Sequence, residues 1–268
     1  MKFYIVTPSF NSMQWLPRCI RSVADQVRDG LEVHHHVQDG GSKDGLPDWL
    51  QQWRDSHQGI PGYTFTFESG KDKGMYDAIN LAWEKLPENA DMTAHINSDE
   101  QYAPGALAAV AEHMARHPKA DILLGAYIIM DAHGRYICHR RPVKPCKLGS
   151  RLTCELMTCA TFHRADPFRK HGVRFDTRYR SLADLVFYRD IVARSPKVIS
   201  TPSLITSFFT VTGDNLAWQS ISAKEWEQYR KTGLTPFLSK HYLWAVRRVN
   251  GMRRLVDFFC PAPRSFSL

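Results

Sequence analysis

The stretch HINSDEQY, residues 95–102, places two carboxylates side by side directly after a short apolar run. Hard divalent cations such as Mg²⁺ and Mn²⁺ take oxygen ligands, commonly one or two carboxylates, and substrate phosphates complete the shell. Asp99 suits that role, with Glu100 beside it as support. Asn, Ser and Asp also favour turns and helix N-caps for purely local reasons. Taken alone, the motif therefore predicts either a metal site or an ordinary loop.

A second acidic motif, QDGGSKDG, begins at Gln38. Its spacing differs from that of a Walker loop, which argues against a P-loop ATPase. Asp39 could accept a hydrogen bond from the imide N–H of a nucleobase, while Gly40 and Gly41 allow a close approach of the backbone. The alternative is a solvated turn closed by the Asp39 side chain.

A third carboxylate, Asp184, stands at the head of the apolar helical stretch SLADLVFYRD. In that position it could be the general base that takes a proton from a hydroxyl nucleophile. The alternative is that Asp184 only interacts favourably with the positive end of the helix dipole.

Neither the histidines nor the cysteines form a metal-binding pattern. His34, His35 and His36 lie on a predicted strand, where neighbours point to opposite faces, so at most His34 and His36 share a face. The cysteines have irregular spacing and no C-x-x-C pair, which favours reduced thiols over a zinc site or a disulfide framework. They are Cys19, Cys138, Cys146, Cys154, Cys159 and Cys260.

These motifs follow predicted strands in a regular alternation of strands and helices. The strands are FYIVT, which ends at Pro8, the start of LEVHHHVQDGGSKDG, then YTFTFES and MTAHI; the helices are WLPRCIRSVADQV, PDWLQQWRD and GMYDAINLAWEKL. This alternation predicts a doubly wound, parallel α/β sheet, in which ligands bind at the carboxyl ends of the strands. The loops TPSFN, QDGGSKDG, ESGKDKG and NSDE are therefore expected to converge on one crevice.

Downstream, APGALAAVAEHMARHP predicts a helix with Pro104 in its first turn, followed by the strand ADILLGAYIIM and a hairpin at DAHGRYICHRR. Residues 145–200 are mixed. From about residue 216 the chain is rich in Trp, Tyr, Lys and Arg and predicts a helical extension.

The composition is that of a folded protein, with 43% hydrophobic residues in 268 and a net charge of +8. The charge favours an anionic partner, such as nucleotide phosphates or an acidic membrane surface. The N-terminal apolar run is broken by Pro8 and is too short for a signal peptide, and no run is long enough to span a bilayer. We therefore expect a cytoplasmic protein.

In this order, the motifs resemble those of the family 2 glycosyltransferases, which have the GT-A fold. The resemblance covers residues 3–215 and rests on TPSFN, QDGGSKDG, SGKDKGMYDAIN, NSDE, FDTRYRSLADLVFYRDI and TVTGDN. SGKDKGMYDAIN resembles a subgroup that makes bacterial surface polysaccharides. The implied domain is 1–215, with a nucleotide-binding half at 1–100, an acceptor-binding half at 101–215 and the extension at 216–268.

The resemblance implies inverting transfer of a sugar from a nucleotide-sugar, usually a UDP-sugar, to the hydroxyl of a saccharide or lipid-linked acceptor. It implies that Asp39 holds the base, that Asp99 binds Mn²⁺ or Mg²⁺, and that Asp184 is the catalytic base. The other residues implied at the nucleotide are Thr7, Pro8, Ser9, Asp72, Lys73, Asn97 and Ser98.

This chain departs from the family pattern at three points. Asn97 stands where the first Asp of the D-x-D motif is usual, and Leu185 replaces an aromatic or polar residue after the base. The late Gly-Gly pair is Gly213-Asp214 here.

The segment HYLWAVRRVNGMRRLVDFF in the extension repeats apolar residues at helical spacing, with arginines between them. It predicts either an interfacial helix on the inner face of an anionic membrane or a helix packed on the domain. Three other functions compete with glycosyl transfer: a nucleotidyltransferase, an inactive nucleotide-sugar-binding protein and a nucleic-acid-binding module. The last lacks the aromatic platform of such modules, so we expect no nucleic-acid partner.

Overall fold

The first part of the chain alternates strands with helices, as the sequence predicts. The computed structural model describes residues 1–142, 144, 145, 147, 150, 156–212, 224, 225 and 227. The alternating elements are β1 (Lys2–Ser9), α1 (Leu16–Ala24), β2 (Glu32–Asp39), α2 (Leu46–Ser56), β3 (Tyr63–Ser69), α3 (Met75–Glu84) and β4 (Met92–His95).

The later part mixes short strands with helices. Its elements are β5 (Gln101–Tyr102), α4 (Ala106–Arg116), β6 (Ile122–Asp131), β7 (Tyr136–Arg140), a 3₁₀ helix (Thr158–Ala160), β8 (Thr161–Arg164), α5 (Ala165–His171), α6 (Ala183–Ala193) and β9 (Val198–Val211). The predicted helix α4, strand β6 and hairpin β6–β7 are present. β5, β8, α5 and β9 had no counterpart in the sequence prediction, and the extension at 216–268 lies outside the described residues except at 224, 225 and 227.

The strands form one sheet in the order β3-β2-β1-β4-β8-β6-β9-β5, with β7 paired to β6. β3, β2, β1 and β4 are mutually parallel, whereas β8 is antiparallel to both β4 and β6. The predicted fold class, a mostly parallel α/β sheet flanked by helices, is confirmed.

The register of the parallel strands aligns their carboxyl ends. Ser9 at the end of β1 pairs with Asp39 of β2, and Asp39 pairs with Ser69 of β3. On the other side of β1, the last pair joins Val6 to His95 of β4. The loops after these strands therefore leave the same edge of the sheet.

Helices cover both faces because the central strand is apolar on both. Phe3 and Ile5 of β1 are buried in one cluster with α1, α2 and α4. Tyr4 and Val6, which point the other way, are buried in a second cluster with α3, α5 and α6. A strand buried on both faces reads as a continuous apolar run, which is the pattern of FYIVT.

Two predicted boundaries were wrong. β1 does not end at Pro8 but continues to Ser9. The backbone nitrogen of Pro8 faces the side of β4, which has already ended there, so no hydrogen bond of the sheet is lost. α4 begins at Ala106, so Pro104 precedes the helix; Gly105 stands between them in a left-handed conformation, φ 71°.

The histidines of β2 alternate as predicted. His34 Nε2 and His36 Nδ1 both lie near the Thr66 hydroxyl, at 2.9 and 2.8 Å. His35 points to the other face, where its Nε2 is 2.9 Å from the Thr7 hydroxyl. In the described ranges, no helix is long and apolar enough to cross a membrane.

Buried neutral histidines should make the fold sensitive to acid. Burial lowers the pKa of His95 and of His163 to about 3, below the ordinary value near 6.5. The unfolded state then binds more protons, so the free energy of unfolding is highest above about pH 6.5 and falls below it, by up to about 1.4 kcal/mol per pH unit for each group.

We expect urea unfolding to show this loss between about pH 7.5 and about pH 5. His163, which contacts the rings of Phe168 and Phe187, should carry part of it. The variant His163→Phe should lose less stability over that interval than the wild type; an equal loss would contradict the assignment.

Candidate active site

The Asp39 carboxylate organises the loop that follows β2. Its Oδ2 accepts hydrogen bonds from the N–H groups of Gly41 (3.1 Å) and Ser42 (3.0 Å). The Ser69 hydroxyl donates to the same oxygen (2.6 Å), and the Ser42 hydroxyl donates to Oδ1 (2.5 Å). Asp39 is fully buried. These four donors, three of them on Oδ2, hold the loop against the end of β3.

The loop after β3 touches the loop after β2 through Asp72 and Gly40. A Cβ on Gly40 would lie 2.9 Å from Asp72 Oδ2, so only a glycine allows this approach. Asp72 Oδ1 accepts a hydrogen bond from the Gly74 N–H (2.8 Å). Burial raises the pKa of the Asp72 carboxyl, and the charges of Asp77 and Asp39 add to the rise. Two of the predicted strand-end loops therefore meet.

The residues that follow β4 form a tight turn closed by Asn97 and Glu100. The Glu100 N–H donates to the Asn97 carbonyl oxygen (3.0 Å), and the Asn97 N–H donates to Glu100 Oε2 (2.7 Å). Ser98 and Asp99 are half-buried in the middle of this turn. Glu100 thus holds the turn that carries Asp99.

Burial shifts both carboxyls of this turn toward the protonated form. It raises the pKa of the fully buried Glu100 to about 8; the charge of Asp99 adds to the rise, and hydrogen bonds from Asn97 and Cys159 oppose it. Burial also raises the pKa of Asp99. A bound cation would stabilise the ionised forms of these groups.

The oxygen atoms of this turn fit a hard divalent cation. Asn97 Oδ1 is buried without a hydrogen-bond partner among the described residues, and Asp99 supplies a carboxylate. Within the described part of the chain, no group of three or more His, Cys, Asp or Glu could hold a metal ion. Mn²⁺ or Mg²⁺ would therefore take most of its ligands from water and substrate phosphates, as Mg²⁺ commonly does.

Asp184 lies in the first turn of α6, as predicted. Its Oδ1 accepts a hydrogen bond from the Leu185 N–H (2.7 Å). Burial raises the pKa of Asp184 to about 6; hydrogen bonds from the N–H groups of Asp184 and Leu185 oppose the rise, and the charge of Glu225 adds to it. A carboxyl with such a pKa is ionised at neutral pH and can still accept a proton efficiently.

Hydrogen bonds connect the segment that leads into α6 to α3, which begins just after the Asp72 loop. The Tyr76 hydroxyl donates to the Ser181 carbonyl oxygen (3.3 Å). Asn80 bonds the Phe175 backbone twice, with its Nδ2 donating to the carbonyl oxygen and its Oδ1 accepting from the N–H, both at 2.9 Å. The chain just before Asp184 is thereby held against α3.

The remaining residues predicted at the nucleotide differ in whether their side chains are buried or exposed. The Thr7 hydroxyl lies in the core beside His35, so Thr7 would border a nucleotide through its backbone. Pro8 is buried, and the Ser9 hydroxyl contacts the Ser12 hydroxyl at 2.6 Å. Lys73 is exposed on the loop before α3. Gly213 and Asp214 lie outside the described residues.

Sequence reasoning missed Phe10, whose side chain is 65% exposed at the end of β1. Next to it, Asn11 adopts a left-handed conformation, φ 47°. Its N–H donates to the Ser42 hydroxyl (2.7 Å) and its Oδ1 accepts from the Lys43 N–H (2.9 Å). The available signal was an aromatic residue immediately after a buried strand, in TPSFN.

The sequence profile described as Glycosyl transferase family 2 matches residues 4–170, which carry the loops after β1 to β4. The chain belongs to glycosyl transferase family 2. The predicted family and enzyme class are therefore confirmed, and glycosyl transfer takes precedence over nucleotidyl transfer and nucleic-acid binding.

Curated relatives of this glycosyltransferase include mycobacterial enzymes. The PGL/p-HBAD biosynthesis glycosyltransferase of Mycobacterium bovis (strain BCG / Pasteur 1173P2) is 25% identical over 223 residues, which cover 78% of this chain and 74% of the relative. A protein of the same name from Mycobacterium tuberculosis (strain ATCC 25177 / H37Ra) matches equally.

Solved structures share the fold of this glycosyltransferase. S. aureus TarS matches with a TM-score of 0.61 at 16% identity over 80% of this chain, which spans 38% of that protein's chain. TarS 1-349 in complex with UDP-GlcNAc matches with a TM-score of 0.67 at 16% identity, covering 87% of this chain and 65% of that one. The mannosyltransferase PcManGT from Pyrobaculum calidifontis, in complex with GDP-Man and Mn²⁺, matches with 0.61 at 18% identity, covering 91% and 68%.

The contact between Gly40 and Asp72 yields a specific prediction. Gly40→Ala should push the Asp72 carboxylate away and weaken nucleotide binding by about tenfold or more, equal to about 1.4 kcal/mol. A Cβ on Gly70, in the neighbouring loop, would meet nothing within 4 Å, so Gly70→Ala is the matched control. Isothermal titration with UDP and Mn²⁺ measures both; equal affinities would show that the contact is not needed.

Proposed function

We propose that this glycosyltransferase binds a nucleotide-sugar donor, a UDP-sugar, at the carboxyl ends of β1 to β4. The observation that carries the proposal is the alignment of Ser9, Asp39 and Ser69 in adjacent strands, with Asp72 packed on Gly40 beside them. In sheets of this kind ligands bind at such an edge. Fold relatives crystallised with UDP-GlcNAc and with GDP-Man support a nucleotide-sugar.

Base recognition at Asp39 can involve an exchange of hydrogen bonds. Three donors share Oδ2 and one donor uses Oδ1, and two of these four donors are the hydroxyls of Ser42 and Ser69. A hydroxyl can rotate to another acceptor, whereas the N–H groups of the loop are fixed. An imide N–H of uracil would replace one hydroxyl, and the exposed ring of Phe10 offers a face on which the base can stack.

We assign Asp99 as the residue that holds the divalent cation, with Asn97 and Ser98 beside the diphosphate. The cation, when bound, stabilises the negative charge that develops on the leaving diphosphate. The turn closed by Glu100 fixes Asp99 for this role.

Asp184 takes the proton of the attacking acceptor hydroxyl. As the acceptor oxygen bonds to the anomeric carbon, the bond from that carbon to the nucleotide diphosphate breaks on the opposite side, which inverts the configuration. The raised pKa of Asp184, about 6, means that the rate should fall as the pH drops through about 6.

Loss of the base should separate binding from chemistry. Asp184→Asn should lower kcat by at least about 10²-fold, because general-base catalysis is typically worth 10²–10⁴, while donor affinity stays within about twofold of the wild type. Asp190→Asn on the same helix, partly exposed and paired with Arg189, is the control. Full activity of Asp184→Asn would exclude this residue as the base.

Loss of the metal ligand should instead affect donor binding. A thermal-shift screen of UDP, GDP and their sugars, with and without Mn²⁺, should show a Mn²⁺-dependent shift with one base. Asp99→Ala should abolish that dependence and the transfer reaction, whereas the exposed Asp55→Ala should not. A retained Mn²⁺ response in Asp99→Ala would place the metal elsewhere.

We further propose that the acceptor is a lipid-linked or growing saccharide reached from the inner membrane surface. The support is the basic, apolar sequence of residues 241–259 together with the net charge of +8. A protein truncated after residue 238 should bind acidic liposomes more weakly than the full chain in a sedimentation assay. Equal binding would refute the membrane role.

A further inference from the structure

Glu225 holds the backbone that leads into α6. Its Oε1 accepts a hydrogen bond from the Arg180 N–H (2.7 Å), and its Oε2 accepts from the N–H groups of Ser181 (2.9 Å) and Leu182 (3.0 Å). Glu225 is 7% exposed. One buried carboxylate thus binds three consecutive N–H groups immediately before the helix that carries Asp184.

Leu182 is the N-cap of α6, and its side chain cannot accept a hydrogen bond. Glu225 binds the N–H of this residue and of the two residues before it, which precede the helical turns and have no partner within the helix. Bonds from N–H groups to a carboxylate are among the stronger ones in proteins. The direction in which α6 starts is therefore fixed by a residue more than 40 positions away.

We propose that Glu225 is a positioning residue for Asp184, acting through the backbone of residues 180–182. The inference rests on the assignment of Asp184 as the base. It adds Glu225 to the residues on which the position of Asp184 depends, because without its carboxylate the N–H groups of residues 180–182 lose their acceptor and α6 loses its fixed starting direction.

Several charged and polar groups lie on α6 or next to its first turn. Glu225 acts on it electrostatically from the C-terminal segment, and Arg180 stands in the turn before the helix. Farther along α6, Arg189 and Asp190 form an ion pair (2.9 Å). The hydroxyl of Tyr76 reaches the same turn from α3.

Glu225→Gln keeps the size of the side chain but replaces one acceptor oxygen by an amide N–H₂ donor, which opposes a backbone N–H. We expect kcat to fall by about 10- to 100-fold, as is typical when a catalytic group is misplaced by about an ångström. The KM for the donor should stay within about twofold. The acid limb of the pH profile should move to lower pH, because a negative charge near Asp184 is removed.

Glu225→Asp, which keeps the charge, should restore part of kcat and leave the acid limb at the wild-type pH. Glu112→Gln, an exposed position on α4 that pairs with Arg116, removes the same charge and should behave like the wild type. Thermal unfolding and donor titration of each variant report folding independently of activity.

The outcomes distinguish the two claims. An inactive Asp184→Asn with a fully active Glu225→Gln would overturn the positioning role and leave the base assignment intact. A fully active Asp184→Asn would overturn both. A parallel loss of thermal stability, donor binding and kcat in Glu225→Gln, without a moved acid limb, would make Glu225 a purely structural residue and would also reject the proposal.

Discussion

The hydrogen bonds of the buried Asp39 carboxylate are the interactions on which the candidate site depends. It joins the end of β2 to the end of β3 and fixes the Gly-rich loop between them. Leaving such a charge unpaired in the interior costs several kcal/mol. The backbone and hydroxyl groups that donate to Asp39 are therefore held in place by the same cost. The backbone conformation that allows Asp72 to pack on Gly40 follows from this constraint.

In the turn after β4, unlike at Asp39, some buried acceptor oxygens have no hydrogen-bond partner among the described residues. Glu100 and Asn97 satisfy each other's backbone, yet Glu100 Oε1 and Asn97 Oδ1 are left without hydrogen-bond partners within the described residues. A fold that buries unpaired acceptors next to a carboxylate stores unfavourable electrostatic energy that a cation would relieve. Asn97 in place of a carboxylate reduces that repulsion, and it would offer less negative charge to the proposed cation. Stability and metal affinity would thus oppose each other at this one position.

The parallel half of the fold was predictable because its signals are local. Each strand and its following helix are apolar at the expected period, and polar loops mark the carboxyl ends. β8 and α5 were missed because a four-residue strand runs directly into a short helix. Both elements are too short for the apolar repeat of a strand or of a helix to be recognised. β5 consists of two residues and exists only through its pairing with β9, so no pattern could indicate it.

The places of the three acidic residues in the fold were predictable, but their surroundings were not. Asp39 and Asp99 follow predicted strands, and Asp184 stands at the head of an apolar helical stretch. Sequence could not reveal that Thr7 points into the core or that Glu225 binds the backbone before α6, because both depend on contacts between distant parts of the chain. The resemblance to the family implied roles, whereas the structure shows which carboxylates are buried and which hydrogen bonds they accept.

The double hydrogen bond between Asn80 and Phe175 spans 95 positions of the chain. By contrast, each strand of the β1–β3 region pairs with the next strand along the chain. Because closing a longer loop costs more entropy before any contact rewards it, the β1–β3 region is the cheaper part to form. The segment that leads into α6 closes a much longer loop when it pairs with Asn80 of α3. A nascent chain would therefore form the paired loops around Asp39 before the proposed base, Asp184, is in place, and so before it could transfer or hydrolyse a sugar.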